Sequence, residues 1–146
     1  MAKDHEMATI VYTPSINELE RRFLALLEMA IPKKTFEICH SIGELSTRLG
    51  MPLSNVKVAI FFAVTQTEIT RILSLGDLMA DVKSILVLSD EDKDTMAKVH
   101  KLRPRYVTWI DCDPIDIVTV AKRMIDLYDV PQSRRRKLRG GGTDMK

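Results

Sequence analysis

Residues 56–68 read VKVAIFFAVTQTE and contain one complete change from a buried strand to a helix. Residues 56–62 are apolar on both faces except at Lys57, which is typical of a central strand in a parallel sheet covered by helices on both sides. Thr65 and Glu68 then form a helix-start pair. The first side chain can accept a hydrogen bond from an amide of the first turn, and the acid suits the reciprocal bond and the helix dipole.

The same helix-start pair recurs along the whole chain at nearly even spacing. The other four pairs are Ser15 with Glu18, Ser41 with Glu44, Ser89 with Asp92, and Asp113 with Asp116. Successive starts lie 24 to 26 residues apart. That interval holds one helix of about a dozen residues, a short loop and a strand of about five. The spacing therefore predicts five consecutive strand–helix units.

Apolar periodicity and glycine or proline breaks set the bounds of these units. The predicted strands cover residues 8–12, 35–39, 56–62, 84–88 and 105–110. The predicted helices cover residues 15–29, 42–49, 66–79 and 91–101, and a fifth carries apolar residues from 117 to 128. Alternating strands and helices imply parallel pairing through right-handed crossovers. Five such units favour an α/β, flavodoxin-like (βα)5 three-layer sandwich with strand order 2-1-3-4-5.

Composition agrees with one domain and a basic tail. A chain of 146 residues that is 45% hydrophobic and 29% charged is long enough to bury a core and too short for two domains. We expect a flexible N-terminus over residues 1–7, the domain over 8–130 and a disordered tail over 131–146. The basic residues at the centre of the tail are Arg134, Arg135, Arg136, Lys137 and Arg139.

No apolar stretch approaches the roughly 20 residues of a membrane span, and the first residues are too polar for a signal peptide. We therefore expect a cytoplasmic protein with no membrane span. Cys39 and Cys112 fall near the ends of the second and fifth predicted strands. These strands form opposite edges of the predicted sheet, about 19 Å apart, so a disulfide is excluded and reduced thiols are expected.

The carboxyl ends of the strands are the expected place for function in such a sheet. The loops there contain neither a GxGxxG turn nor a GxxxxGK[ST] cradle, so nucleotide binding in its usual form is not expected, and no cofactor is predicted. Acidic residues cluster after the fourth and fifth strands, at Asp90, Glu91, Asp92, Asp94, Asp111 and Asp113. Acids favour first helical turns, but a carboxylate-rich metal-binding or hydrolytic site is an alternative.

Residues 9–128 as a whole resemble the receiver domain of bacterial two-component response regulators. That family has a 2-1-3-4-5 α/β domain of this length, with a Ser or Thr closing strand four and a Pro just after strand five. Ser89 and Pro114 match these two positions. The resemblance implies a role in signal transduction, where ordinary receivers take part in a phosphorelay.

The positions that receivers use for phosphorylation are occupied differently in this chain. Thr13 and Pro14, within one position, stand where the family has two acids that hold magnesium. Phe61 stands where the family has the aspartate that accepts the phosphoryl group. Asp113 replaces the lysine before the proline, and Ile110 replaces the switch aromatic. Phosphoryl transfer needs a nucleophilic oxygen and a cation, so the resemblance implies a degenerate pseudo-receiver that is not an enzyme and binds no metal.

The two surviving motif residues also have structural interpretations. Ser89 is suited to a helix N-cap. If Asp113 caps the last helix and Pro114 takes its first position, the peptide bond between them is trans. If the receiver pattern holds instead, the bond is cis and the helix begins at Asp116. The receiver pattern favours the cis form.

Two classes of function follow from this reasoning. The first is a phosphorylation-independent protein–protein interaction module whose face, built from helix four, strand five and helix five, binds a signalling partner or a second copy. Its candidate contacts are Met96, Val99, His100, Tyr106, Trp109, Lys122 and Arg123. Tyr106 and Trp109 should point to opposite faces of the sheet. The second class is an electrostatic adaptor whose tail engages nucleic acid, anionic lipid or an acidic protein surface.

Overall fold

The computed structural model describes residues 8–32, 35–53, 55–63, 65–79, 81–89 and 92–128. The strands are β1 (Ala8–Tyr12), β2 (Phe36–Cys39), β3 (Val56–Ala63), β4 (Lys83–Leu88) and β5 (Tyr106–Trp109). The helices are α1 (Glu18–Ala30), α2 (Ile42–Leu49), α3 (Gln66–Leu73), α4 (Lys93–Leu102) and α5 (Pro114–Tyr128), with a 3₁₀ turn at Gly76–Met79. Strands and helices alternate, as the cap spacing predicted.

All strands are parallel, and their order is β2-β1-β3-β4-β5. This confirms the predicted flavodoxin-like architecture. β3 lies at the centre, with Phe61 paired to Tyr12 of β1 and to Leu86 of β4. The carboxyl ends of the three middle strands therefore lie side by side at one end of the sheet.

Helices cover both faces of the sheet and produce two apolar cores. Alternate residues of β3 divide between them, since Ala59 and Phe61 belong to the core under α2, α3 and α4. Ile60 and Phe62 belong to the core under α1 and α5, where the ring centroids of Phe62 and Phe23 lie 5.2 Å apart. This division explains why the sequence of β3 is apolar without alternation.

Two of the five predicted helix starts are wrong in position. Ser41 and Thr65 cap α2 and α3 as predicted. However, α1 is capped by Asn17, not Ser15, because the chain turns through a left-handed Ile16 before the helix begins. Similarly, α4 is capped by Asp92, whose side chain accepts a hydrogen bond from the Thr95 amide at 2.7 Å, rather than by Ser89. Asparagine and aspartate are as good N-caps as serine, so the pattern alone could not choose between neighbours.

Two further expectations are corrected. The third helix ends at Leu73 instead of residue 79, and the chain continues into the 3₁₀ turn that begins at Gly76, a poor helix former. The described residues contain no cis peptide bond, so the cis form of Asp113–Pro114 is wrong. Pro114 is instead the first residue of α5, and the Asp113 side chain accepts a hydrogen bond from the Ile115 amide at 3.1 Å.

Cys39 in β2 and Cys112 after β5 are free and lie at opposite edges of the sheet, as predicted. The predicted flexible N-terminus and the basic tail lie outside the described residues. Within the described ranges, none of the helices has the length and apolar character that a bilayer crossing requires.

Candidate functional site

An aromatic pair lies at the end of β1 and two residues before the end of β3. Tyr12 and Phe61 are directly paired across these strands, and both are buried. Their rings meet edge to face, with centroids 6.4 Å apart. This geometry is the favourable one for two aromatic rings, so the pair closes the carboxyl edge of the sheet with apolar atoms.

The Tyr12 hydroxyl connects this pair to α3. It donates a hydrogen bond of 2.7 Å to Oε1 of Glu68, and Oε2 of Glu68 lies 3.4 Å from a guanidinium nitrogen of Arg71. Burial, together with the hydrogen bond to Glu68, raises the pKa of Tyr12. Tyr12 therefore remains a neutral donor, and its role here is to fix the start of α3 against β1.

Thr13 and His40 form a second polar contact beside the first. Thr13 is buried, and its Oγ1 lies 3.1 Å from Nδ1 of His40. The same ring nitrogen lies 3.2 Å from the Thr13 carbonyl oxygen, which can only accept a hydrogen bond. The His40 amide in turn donates to Glu44 in the first turn of α2 at 2.6 Å. These contacts tie the β2–α2 connection to the end of β1.

Glu20 is a buried carboxylate that sequence reasoning missed. Its side chain is 0% exposed, and Oε1 accepts a hydrogen bond from the Ile16 amide. Oε2 is also buried and has no hydrogen-bond partner among the described residues. Burial raises the pKa of Glu20, although backbone hydrogen bonds led by that of Ile16, and the charge of His40, act in the opposite direction. The spacing of Asn17 and Glu20 was a readable signal, because it matches a capping pair.

A chain of polar contacts joins the starts of α3 and α4. The side-chain Nε2 of Gln66 donates to Oδ2 of Asp92 at 3.5 Å, and Nζ of Lys98 donates to the side-chain Oε1 of Gln66 at 3.2 Å. Hydrogen bonds, above all from the Thr95 amide, lower the pKa of Asp92. Through its bond to Gln66, Lys98 of α4 also places a positive charge beside the start of α3.

The remaining predicted positions are dispersed around this edge. Pro14 is half-buried, Ser89 and Asp113 are exposed, and Pro114 is buried. Asp90 and Glu91, two members of the acidic cluster, lie outside the described residues. Among the residues that are described, no three His, Cys, Asp or Glu side chains are placed to hold a metal ion.

The face formed by α4, β5 and α5 has a mixed surface. His100, Lys122 and Arg123 are exposed, Met96, Tyr106 and Trp109 are half-buried, and Val99 is only 4% exposed and belongs to the core. Tyr106 packs on the core under α1 and α5, and Trp109 packs on the opposite core. Ile110 and Ile115 are 43% and 42% exposed, so they add two apolar side chains that the sequence did not single out as interface residues.

Comparison with known proteins places this fold among receiver domains. No family model matches the chain, and no curated protein matches its sequence. Among solved structures, a CheY-like response regulator receiver domain protein from Methanospirillum hungatei JF-1 matches with a TM-score of 0.65 and 14% identity, over 83% of this chain and 95% of that one.

Two pilus assembly proteins have similar structures. A pilus assembly-related protein from Burkholderia pseudomallei K96243 gives a TM-score of 0.59 at 17% identity, over 88% of this chain and 94% of its own. The pilus assembly protein CpaE from Burkholderia thailandensis E264 gives 0.57 at 16% identity, over 82% and 98%. The chain is therefore a receiver-like domain with the flavodoxin-like receiver fold, structurally similar to CheY-like receivers and to CpaE.

Proposed function

We propose that this domain is a pseudo-receiver, a phosphorylation-independent protein–protein interaction module of a cytoplasmic signalling or assembly pathway. The observation that supports it most is the buried pair of Tyr12, the last residue of β1, and Phe61, near the carboxyl end of β3. In a receiver, the carboxyl ends of these strands supply the acids for magnesium and phosphoryl binding.

Chemistry supports the same proposal. A phosphoryl acceptor must present a nucleophilic oxygen beside a cation, and the side chain of Phe61 has no oxygen. Two acids on the helices that follow β1 and β3 are held within the fold, since Glu68 accepts from Tyr12 and the fully buried Glu20 accepts from Ile16 through one oxygen. Asp113 accepts from the Ile115 amide at the start of α5, which is a capping role.

The proposed contact surface is the face of α4, β5 and α5, including Ile110 and Ile115 at the end of β5 and the start of α5. Exposed apolar side chains beside charged ones suit a protein partner, because apolar anchors supply affinity and charges supply orientation. His100, Lys122 and Arg123 are exposed polar residues of this face, which also carries the exposed acids Asp111, Asp113 and Asp116. The partner is either another protein or a second copy of this chain.

The similarity to two pilus assembly proteins supports a partner within such an assembly. The domain would then act by docking alone, with its affinity independent of phosphorylation.

The Arg-rich residues of 134–139 favour a second candidate, an electrostatic adaptor that binds nucleic acid or an acidic surface through the tail.

The first experiment tests phosphorylation. Incubation with acetyl phosphate and magnesium should leave the intact mass unchanged, whereas an ordinary receiver domain treated in parallel should gain one phosphoryl group. A gain of one phosphoryl group in the intact mass, located on an aspartate, would overturn the proposal.

The second experiment tests the face. Ile115→Glu should abolish self-association in sedimentation velocity or capture of a specific partner. Met29→Glu is the matched control, because Met29 is 84% exposed on α1, outside this face. Equal loss in both variants, or in neither, would contradict the assignment of the contact surface.

A further inference from the structure

A cleft lies at the amino ends of β4 and β5, whereas the Tyr12–Phe61 pair lies toward the carboxyl ends of the strands. It has a volume of about 710 Å³ and opens between the Gly76–Met79 turn and the α4–β5 connection. This volume is within the range of small-molecule sites. Its apolar lining comes from Leu73, Met79, Val82, Leu102 and Pro104.

The charged lining of the cleft is mostly positive. Lys83, Lys101, Arg103 and Arg105 line it, and Asp77 is the acid among the described lining residues. Lys83, Lys101 and Arg103 make no ion pair within the part of the chain that the structure describes. Four basic side chains and one acid line the cleft, so its lining carries a net positive charge that a bound anion would partly neutralise.

Helix dipoles account for only part of this charge. Lys101 lies in the last turn of α4, where a cation complements the helix dipole. Lys83 is the first residue of β4, and Arg105 directly precedes β5, with its amide bonded to the Ser84 carbonyl at 2.7 Å. Neither belongs to a helix, so no helix dipole accounts for the charge of Lys83 at this place.

Arg103 supplies an independent observation. It is the C-cap of α4 and has left-handed backbone angles, φ 52° and ψ 55°. Glycine or asparagine adopts this conformation with less strain. An arginine kept in a strained position, with its side chain lining a cationic cleft, indicates that the side chain itself has a role.

We propose that this cleft binds a small organic phosphate. Its phosphate groups contact Lys83, Lys101 and Arg103, and its apolar part packs against Leu102 and Pro104. A guanidinium suits phosphate through paired hydrogen bonds, and the apolar lining suits a base or another flat group. The cleft contains no glycine-rich phosphate loop, so binding relies on side-chain charges. This inference does not depend on the proposed interaction function.

The test is calorimetric titration of the full chain with adenosine diphosphate, with adenosine as the uncharged comparison. The diphosphate should bind and adenosine should not. Arg103→Gly should weaken binding by about tenfold or more, the usual effect of losing a charged hydrogen bond. Glycine fits the left-handed position, so the melting temperature of this variant should be unchanged or higher, and weaker binding cannot be ascribed to unfolding.

Lys83→Ala should weaken binding similarly, whereas Arg22→Ala, an exposed arginine on α1, should not. Amide chemical shifts should move at Gly76 and Leu102 on addition of the diphosphate. Absence of binding at millimolar diphosphate, equal binding by Arg103→Gly and the wild type, or loss of binding on removal of residues 131–146 would overturn the proposal.

Discussion

The hydroxyl of Tyr12 donates a 2.7 Å hydrogen bond to Glu68, and so joins the end of β1 to the first turn of α3. Two consequences follow from the burial of Tyr12. Its ring forms the aromatic pair with Phe61. Its hydroxyl donates a hydrogen bond to the Glu68 carboxylate, which also contacts Arg71. This edge of the sheet is therefore held by structural contacts.

Tyr12→Phe should lower the free energy of unfolding by about 1–2 kcal/mol, because a buried hydrogen bond to a charged acceptor is lost while the ring remains. Urea unfolding at neutral pH measures the change. Tyr106→Phe is the control, since the structure gives Tyr106 no side-chain hydrogen bond among the described residues, and a change within about 0.5 kcal/mol is expected. Equal effects would show that the Glu68 contact is not stabilising.

Phe61→Asp should lower the free energy of unfolding by about 4 kcal/mol or more, because it places an unpaired carboxylate at a fully buried position. Phe61→Leu, which keeps the site apolar, should cost only about 1–2 kcal/mol. Magnesium should not rescue the aspartate variant in thermal unfolding. A folded Phe61→Asp protein that magnesium stabilises would indicate that this edge retains a working receiver site.

Glu20 should make stability depend on pH. Its pKa is raised above the ordinary value of 4.5 in the folded state, so the folded protein binds this proton more tightly than the unfolded chain does. The stability that this difference contributes is fully present below pH 4.5 and is lost as the pH rises through the raised pKa. Glu20→Gln should remove that loss.

Urea unfolding of the wild type and Glu20→Gln between pH 4 and 8 measures this effect. The difference in unfolding free energy should shift in favour of the glutamine variant as pH rises. Glu18→Gln, with an exposed side chain in the same helical turn, should show no such trend. A constant difference across this range would contradict a raised pKa for Glu20.

The caps of α1 give a matched pair of variants. Asn17→Ala should cost about 1 kcal/mol, because the Glu20 amide, 2.9 Å from the Asn17 oxygen, loses its acceptor. Ser15→Ala should change stability by less than about 0.5 kcal/mol, since Ser15 is exposed and precedes the cap. Chemical denaturation of both variants distinguishes the observed helix start from the one that the sequence pattern favoured.

The basic tail can be tested separately from the folded face. If the tail binds nucleic acid, affinity for a DNA duplex should fall by an order of magnitude or more between 50 and 200 mM salt and vanish on truncation before Pro131. Binding through the face of α4, β5 and α5 should be nearly indifferent to both changes. Fluorescence anisotropy with labelled DNA measures the first case, and salt-independent binding by the truncated chain would exclude the tail.

Much of the fold could be predicted because it depends on local patterns. Ser41 and Thr65 cap helices with their own following acids, and Pro114 begins α5 as proline often does. The continuous apolar run of β3 indicated a strand buried on both faces. Patterns failed where several residues could perform one role, as for Ser15 against Asn17 and for Ser89 against Asp92.

The candidate sites were harder to predict, because their residues come from separate elements. Tyr12 and Glu68 are 56 positions apart, and Thr13 and His40 are 27 apart, so no spacing rule relates them. The cationic cleft combines Lys83 from β4 with Arg103 from the end of α4. Neither residue stands out in the amino-acid sequence of its own segment.

The sequence by itself determined the alternation of five strands with five helices and the central position of β3, because capping, chain breaks and apolar runs act over a few residues. Only the tertiary structure decided which side chains meet at the two ends of the sheet. Parallel pairing aligns the ends of strands that are distant along the chain, and burial then selects the aromatic pair at one end and leaves the lysines and arginines around a cleft at the other.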